Sequence, residues 1–205
     1  MSNIKDGDRH VGIYNAGRFW HTDLSYMQAP SRGSFLYALE IPVANGRALG
    51  DTLFASTAAA YDALPGSTQQ RIVNLRATFS LAHQRAKLLA QGDTGSVLTE
   101  EQLAKTPVAT HRIVHKHPVT ARMCLFVNQG HAIEILDLPS DEGTQLLREL
   151  CEHSTQPEFV YRHRWAAGDL LMWDNLATQH LAIFDYALPQ RRYLMRTTLE
   201  GVPID

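Results

Sequence analysis

The sequence predicts a mainly β domain with α insertions, folded as a double-stranded β-helix, or jelly roll. Short apolar runs bounded by turn residues, such as 34–42 and 52–56, have the length and composition of buried strands. Residues 158–165 alternate their side chains with the period of a strand. No internal repeat or linker interrupts the chain. Short strands with one helical insertion favour a single jelly-roll domain over residues 1–205.

The helical segments are predicted from their first residues and from the spacing of their apolar side chains. Residues 57–75 contain two short helix patterns, the first with a residue suited to capping and a run of alanines. Residues 140–153 give the strongest pattern, with Ser140 as the expected cap and an apolar stripe of leucines. A helical and loop insertion is therefore expected at about 57–110, and its part at 78–107 is expected to lie outside the core.

Length and composition limit the class of protein. A chain of 205 residues with 44% hydrophobic and 20% charged residues is typical of one globular domain. The net charge of −2 gives no electrostatic reason to expect nucleic acid or an anionic membrane as a partner. Cys124 and Cys151 are too few for a disulfide framework, and no apolar run approaches the ~20 residues of a membrane span. These features predict a cytoplasmic protein.

The segment His21-Thr22-Asp23 supplies the first candidate metal ligands. In an extended chain, side chains two residues apart point to the same face, so His21 and Asp23 project together. One imidazole and one carboxylate are two of the three ligands in the 2-His-1-carboxylate site that holds non-haem Fe(II). Alone the pair is weak evidence, because a solvated histidine beside an aspartate that caps a turn is commoner.

A third ligand and an anchor for an anion occur near the other end of the chain. His180 follows a strand pattern, and Arg192 comes twelve residues later. Arg191 and Arg192 lie on opposite faces of a strand, so one of them can point inward. A buried arginine offers a planar charged fork to a carboxylate. Taken together, the pattern predicts an iron site formed by His21, Asp23 and His180, beside a site for a dicarboxylate.

Five motifs follow one another in a fixed order: His21-Thr22-Asp23, the run at 50–55, Trp173-Asp174-Asn175, Gln179-His180, and the arginines from Arg191 to Arg196. Together they resemble the taurine dioxygenase family, which includes the 2,4-dichlorophenoxyacetate dioxygenases. The similarity extends from about residue 17 to residue 203. It implies an Fe(II)- and 2-oxoglutarate-dependent dioxygenase that consumes O₂, hydroxylates its substrate, and releases succinate and carbon dioxide.

The resemblance implies a role for four further residues. Arg192 would hold the remote carboxylate of 2-oxoglutarate, and the hydroxyl of Thr52 would donate to the same group. Trp173 and Asn175 would pack behind the second histidine ligand, His180, with core packing the better expectation for Trp173.

The resemblance implies the class of substrate through Arg196 and the type of reaction through Asp23. In the family, the arginine that matches Arg196 grips the acidic group of the substrate, which implies a sulfonate or a carboxylate such as an aryloxy acid. The alternative for Arg196 is a salt bridge to an acidic neighbour. Related halogenases lack the carboxylate that matches Asp23, so its presence implies hydroxylation. The run at 128–134 departs from the family's commoner sequence, so the substrate need not be taurine.

The start of the chain is short relative to the family. The family has several dozen residues before its His-x-Asp, which supply strands and part of the substrate pocket, whereas twenty residues precede His21 here. Residues 1–16 are polar and rich in turn residues, which predicts a loosely tied terminus. Enzymes of this kind commonly self-associate, so a homo-oligomer is also an expectation.

Three alternatives stay open at this point. His111, His115 and His117 form a local cluster that would suit zinc, although no fourth ligand lies at zinc spacing. A catalytically weak or inactive jelly-roll remnant would keep the barrel without turning over a substrate. A cupin-type binding module would use the histidines for another metal and catalyse nothing.

Overall fold

A computed structural model describes residues 1–7, 9–14, 16–92, 97–201 and 203–204. This part of the chain is mainly β with a few helices. The strands are β1 (Lys5–Asp6), β2 (Arg9–His10), β3 (Gly33–Glu40), β4 (Val43–Ala44), β5 (Arg47–Ala48), β6 (Thr52–Ser56), β7 (Arg76–Phe79), β8 (Ala109–Arg112), β9 (Val114–Lys116), β10 (Met123–Leu125), β11 (Ala132–Ile135), β12 (Val160–His163), β13 (Leu170–Asp174), β14 (Thr178–Ala182) and β15 (Tyr193–Thr198). The helices are α1 (Thr57–Asp62), α2 (Gly66–Ile72), α3 (Leu81–Ala90), α4 (Glu100–Lys105), α5 (Ser140–His153) and a 3₁₀ turn (Pro157–Phe159).

Two antiparallel sheets of three strands frame the site. One has the order β13-β3-β15 and the other the order β12-β6-β14. One apolar cluster takes Leu36, Trp173 and Leu194 from the first sheet and Phe54 from the second. Trp165, which follows β12, fills the same cluster and is almost completely buried. The two sheets therefore face each other across a shared apolar layer.

A second core lies between the sheet β11-β7-β8 and the helices. Ile72 and Phe79 are fully buried there, and Leu146 and Leu150 of α5 pack into the same cluster. The spacing of these leucines places them on one face of α5, which is the arrangement of an amphipathic helix against a sheet. This core contains none of the three predicted iron ligands.

Two sequence-based predictions about the insertion need correction. Residues 76–79 form β7, the central strand of its sheet, and Phe79 is fully buried, so the expectation that 78–107 lies outside the core is wrong at its start. A four-residue strand with one arginine gives too weak a pattern to separate it from a loop. Residues 93–96, which belong to the same predicted excursion, lie outside the described residues.

Two helix and terminus predictions also differ from the structure. The cap of α5 is Pro139, and no side chain accepts a hydrogen bond there, so Ser140 is the first helical residue and not the cap. The expectation of a loosely tied terminus is wrong for residues 2 and 3. Ser2 forms a β-bridge with Tyr193, and the buried Asn3 side chain accepts a hydrogen bond from the backbone N–H of Arg192 at 2.8 Å. A polar segment is held here by hydrogen bonds to β15, which composition does not show.

Candidate metal centre

His21 and His180 are brought together by the main chain. Their backbones form an isolated antiparallel bridge, with the N–H of His21 donating to the carbonyl of His180 at 3.1 Å and the reverse bond at 2.8 Å. Residues paired in this way project side chains on the same side of the ladder, and the two imidazole centroids lie 4.1 Å apart. The bridge lies on the edge of β14 opposite β6 and brings the main chains of the two histidines together.

Asp23 completes a cluster of three ligand atoms. Its Oδ1 lies 3.7 Å from Nε2 of His21 and 3.8 Å from Nε2 of His180. Two atoms bonded to one ion at about 2.1 Å are separated by no more than roughly 4.2 Å, so both distances are compatible with a shared ion. Among the described residues, this is the one group of three or more such side chains close enough to hold a metal.

Both imidazoles are in the neutral form that a metal requires. Burial lowers the pKa of His180 to about 3, and burial also lowers the pKa of His21. Nδ1 of His21 lies 2.9 Å from the carbonyl oxygen of Phe19, which can only accept, so Nδ1 carries the proton and Nε2 keeps its lone pair. The His180 ring is held by packing, with its centroid 4.8 Å from that of Trp173 and 6.0 Å from that of Phe54.

The third ligand, Asp23, is a buried carboxylate with partners on both oxygens. Burial raises its pKa, but attraction to His180, Arg196 and His21 and a hydrogen bond from Ser34 lower it, and the net shift is downward. Because the histidines are neutral near pH 7, the groups that stabilise the charged form of Asp23 at that pH are Arg196 and Ser34. Arg196 donates to Oδ1 at 3.0 Å and Ser34 donates to Oδ2 at 2.5 Å. The carboxylate is therefore charged and fixed in orientation.

A small cavity of about 40 Å³ connects the histidines with three of the other candidate site residues, Thr52, Arg192 and Arg196. Thr52 accepts a hydrogen bond from Nε1 of Trp165 at 3.0 Å, so its own hydroxyl proton is free to donate. A larger cavity of about 400 Å³ lies elsewhere and contains none of the three ligands. We therefore assign the chemistry to the smaller one.

Arg192 has the burial and the free donor that an anion site requires. Its side chain donates from Nη2 to the carbonyl of Gly50 at 3.1 Å, and its Nε is buried without a protein partner. Burial lowers the pKa of Arg192, yet an arginine keeps its charge at neutral pH. Arg191 points the other way, to an exposed ion pair with Glu40 at 3.2 Å. The two neighbours thus lie on opposite faces, with the buried one lining the cavity.

Gly50 determines where the Arg192 side chain can lie. Its φ is +77°, and a Cβ there would lie 2.7 Å from Nε of Arg192. We expect Gly50→Ala to displace the guanidinium and to weaken 2-oxoglutarate binding by roughly tenfold, about 1.4 kcal/mol, in a calorimetric titration. Gly46→Ala is the matched control, because Gly46 has a φ of +74° but open space around it. Equal affinities in the two variants would show that Gly50 does not control this side chain.

Arg196 lines the same cavity but is engaged by Asp23. Its side chain is partly exposed, and its Nη1 forms the ion pair with Oδ1 described above. The salt bridge that the sequence left open as an alternative is therefore present. This salt bridge does not use all the donors of Arg196, because a guanidinium has five N–H groups.

Trp173 and Asn175 both lie beside the ligands. Trp173 packs its ring against His180, as expected for a residue of the core, and donates from Nε1 to Oδ1 of Asn175 at 2.9 Å. The Asn175 amide donates from Nδ2 to Ser34, which in turn donates to Asp23. Ser34 was not predicted from the sequence, where its signal is a small polar residue in a largely apolar strand.

The zinc alternative is not supported by the geometry of its three histidines. His111 contacts the carbonyl of Met27 at 3.0 Å, His115 that of Leu176 at 2.8 Å, and His117 the carboxylate of Asp174 at 2.8 Å. Each ring thus has its own protein partner in a different place. They form no common metal site among the described residues.

Comparison with known proteins decides the family. The model of the taurine catabolism dioxygenase TauD, TfdA family matches residues 1–198. The chain belongs to the TauD/TfdA family. A relative in Cupriavidus pinatubonensis, an alpha-ketoglutarate-dependent 2,4-dichlorophenoxyacetate dioxygenase, is 40% identical over 194 residues, which are 95% of this chain and 63% of that enzyme. An alpha-ketoglutarate-dependent sulfate ester dioxygenase of Pseudomonas putida is 33% identical over 189 residues, covering 90% of this chain and 60% of that enzyme.

Solved structures of TauD/TfdA relatives have the same architecture. The crystal structure of AAD-2 in complex with Mn(II) and N-oxalylglycine superposes with a TM-score of 0.77 at 39% identity, over 91% of this chain and 69% of that one. The chain spans 63% and 60% of the two curated relatives described above, which is less than two thirds of their length. No helix in the described part of the chain is both long and apolar enough to cross a membrane.

Proposed function

We propose that this TauD/TfdA protein is an Fe(II)- and 2-oxoglutarate-dependent dioxygenase that hydroxylates a small anionic organic substrate. The observation that carries the proposal is the convergence of His21, Asp23 and His180, two of which, His21 and His180, line a cavity together with the buried Arg192. Two neutral imidazoles and one carboxylate are the donor set of non-haem Fe(II), and they leave positions open for other ligands. The crystallised relative with Mn(II) and N-oxalylglycine is consistent with this assignment.

Each residue then has a definite task. His21, Asp23 and His180 would hold iron, while Arg192 and Thr52 would bind the remote carboxylate of 2-oxoglutarate. When bound, the iron supplies the oxidising chemistry, which consumes O₂ and 2-oxoglutarate, yields succinate and carbon dioxide, and hydroxylates the substrate. The protein contributes orientation, because the fork of Arg192 and the hydroxyl of Thr52 fix one end of the co-substrate.

We extend the proposal to the architecture and its surroundings. The two facing sheets would form a double-stranded β-helix in a single domain over residues 1–205, with the insertion at about 57–110, in a cytoplasmic protein that self-associates. The sheet pairings and the similarity to the AAD-2 structure support the barrel. The named substrates of the relatives, 2,4-dichlorophenoxyacetate and sulfate esters, support an anionic substrate.

The decisive experiment measures succinate release by the iron-loaded protein with a panel of aryloxyalkanoates, sulfonates and sulfate esters. We expect substrate-dependent succinate with at least one class, because Arg196 places a positive charge beside the ligands. Binding of Fe(II) and 2-oxoglutarate without turnover on any compound would indicate the inactive remnant. Failure to bind the two together would indicate the cupin-type module.

Arg196 is the residue expected to separate substrate binding from co-substrate binding. We expect Arg196→Ala to raise the KM for the anionic substrate at least roughly tenfold, a loss of about 1.4 kcal/mol, with a much smaller change for 2-oxoglutarate. Because Arg196 also contacts Asp23, the Mn(II) affinity of the variant is measured beside wild type. Equal increases in both KM values would remove the assignment of Arg196 to the substrate.

A further inference from the structure

The second oxygen of Asp23 ends a buried chain of hydrogen bonds. Ser34 donates to Oδ2 of Asp23 at 2.5 Å, Asn175 donates from Nδ2 to Oγ of Ser34 at 3.0 Å, and Trp173 donates from Nε1 to Oδ1 of Asn175 at 2.9 Å. All four side chains are buried. Trp173 and Ser34 are direct partners in the pairing of β13 with β3, so the sheet itself places the members of the chain side by side.

The direction of every bond in this chain is fixed by its first member. The indole N–H of Trp173 can only donate, so it must face the oxygen of the Asn175 amide. The amide nitrogen of Asn175 then faces Ser34, where it donates to the hydroxyl oxygen. The one proton of the Ser34 hydroxyl is thereby directed to Asp23, which as a carboxylate can only accept. The sequence of β3 alone does not indicate which group donates and which accepts in these hydrogen bonds.

The two oxygens of Asp23 therefore have different tasks. Oδ1 faces Nε2 of both histidines, at 3.7 and 3.8 Å, whereas Oδ2 is held by Ser34. Arg196 does not hold Oδ2 in place, because it donates to Oδ1. A metal between the two histidines would thus meet one oxygen of the carboxylate.

We propose that Ser34, oriented by Asn175 and Trp173, is a positioning residue that restricts Asp23 to binding the metal through a single oxygen. The inference rests on the proposed function and adds to it. A carboxylate can bind an ion through one oxygen or through both. Binding through both would occupy a further coordination position, and the proposed reaction needs the open positions for 2-oxoglutarate and O₂. Ser34 therefore preserves the openness of the site.

Co(II) binding tests this role without any turnover, because the visible absorption of Co(II) depends on the number and arrangement of its ligands. Purified, metal-free wild type and Ser34→Ala are titrated with Co(II) without oxygen. We expect Ser34→Ala to raise the Kd for Co(II) by roughly 10- to 100-fold, the usual effect of removing a group that orients a ligand. We also expect an altered absorption spectrum, because the released carboxylate can offer both oxygens.

Ser31→Ala is the matched control. Ser31 is as completely buried as Ser34, but its hydroxyl contacts the backbone carbonyls of Gly33 and Leu199 and touches none of the ligands. It should lose comparable stability and keep the Co(II) affinity and spectrum of wild type. A Ser34→Ala protein that matches Ser31→Ala in both properties would overturn the positioning role and leave the proposed function standing. Wild type that binds no Co(II) would overturn both.

Trp173→Phe provides a second test if Ser34→Ala does not fold. Phenylalanine keeps a ring that can pack beside His180 but lacks the N–H that orients Asn175. The amide oxygen can then turn toward Ser34 and compete for its proton. We expect the Co(II) spectrum of Trp173→Phe to differ from that of wild type. An unchanged spectrum would contradict the directed chain of hydrogen bonds.

Discussion

Loss of His180 is expected to abolish formation of the coloured complex between Fe(II), 2-oxoglutarate and the protein. Without oxygen, wild type should develop the visible charge-transfer absorption of a 2-oxoglutarate chelate. His180→Ala removes one of the three proposed protein ligands; the Nε2 of His180 lies 3.8 Å from Oδ1 of Asp23. The affinity for Fe(II) should fall by more than the roughly 100-fold that removal of a group that only orients a ligand costs, because His180 is itself a proposed ligand. Absorption spectroscopy at increasing Fe(II) concentration measures it.

His111→Ala controls for the loss of a buried histidine. His111 is about as buried as His180, but its Nε2 contacts the carbonyl of Met27 and takes no part in the metal cluster. The variant should be less stable than wild type yet give the same absorption and the same Fe(II) dependence. A normal spectrum in His180→Ala would show that the metal is held elsewhere.

Loss of Arg192 should act on the co-substrate and spare the metal. Arg192→Ala removes the buried guanidinium whose Nε has no protein partner and which lines the cavity beside the histidines. Truncating one partner of a buried charge pair costs about 2–5 kcal/mol, so we expect the Kd for 2-oxoglutarate to rise by roughly 30- to 5,000-fold. Titration of the Mn(II)-loaded protein with 2-oxoglutarate measures this, and the Kd for Mn(II) itself should stay near that of wild type.

The adjacent arginine gives a close control for this result. Arg191 carries the same charge one residue earlier, but its side chain is exposed and pairs with Glu40. An exposed ion pair contributes little, so Arg191→Ala should leave 2-oxoglutarate binding almost unchanged. If both variants lost affinity equally, the effect would come from the overall charge of the segment that precedes β15, and the assignment of Arg192 would be wrong.

The candidate site could be anticipated from sequence wherever local geometry determines which side chains share a face. Spacing by two residues puts His21 and Asp23 on one side of an extended segment, and adjacency puts Arg191 and Arg192 on opposite sides. β6 occupies residues 52–56, and α5 begins and ends where the apolar pattern indicates. These features depend on a few neighbouring residues, which a single sequence contains.

Contacts between distant strands could not be anticipated in this way. Ser34 reads as one more residue of a buried strand until β13 pairs with β3 and brings Asn175 beside it. The attachment of Asn3 to Arg192 has the same origin, because it depends on hydrogen bonds formed after the sheet has assembled. β7 could not be predicted as a buried strand, because its burial comes from the strands on either side and from the helices.

The reciprocal amide bonds between His21 and His180 have a consequence for how the protein tolerates change. Because the separation of the two backbones is set by these peptide hydrogen bonds, it does not depend on the size of the surrounding side chains. Side chains elsewhere around the pocket are therefore free to diverge while the two histidines keep adjoining positions on the main chain.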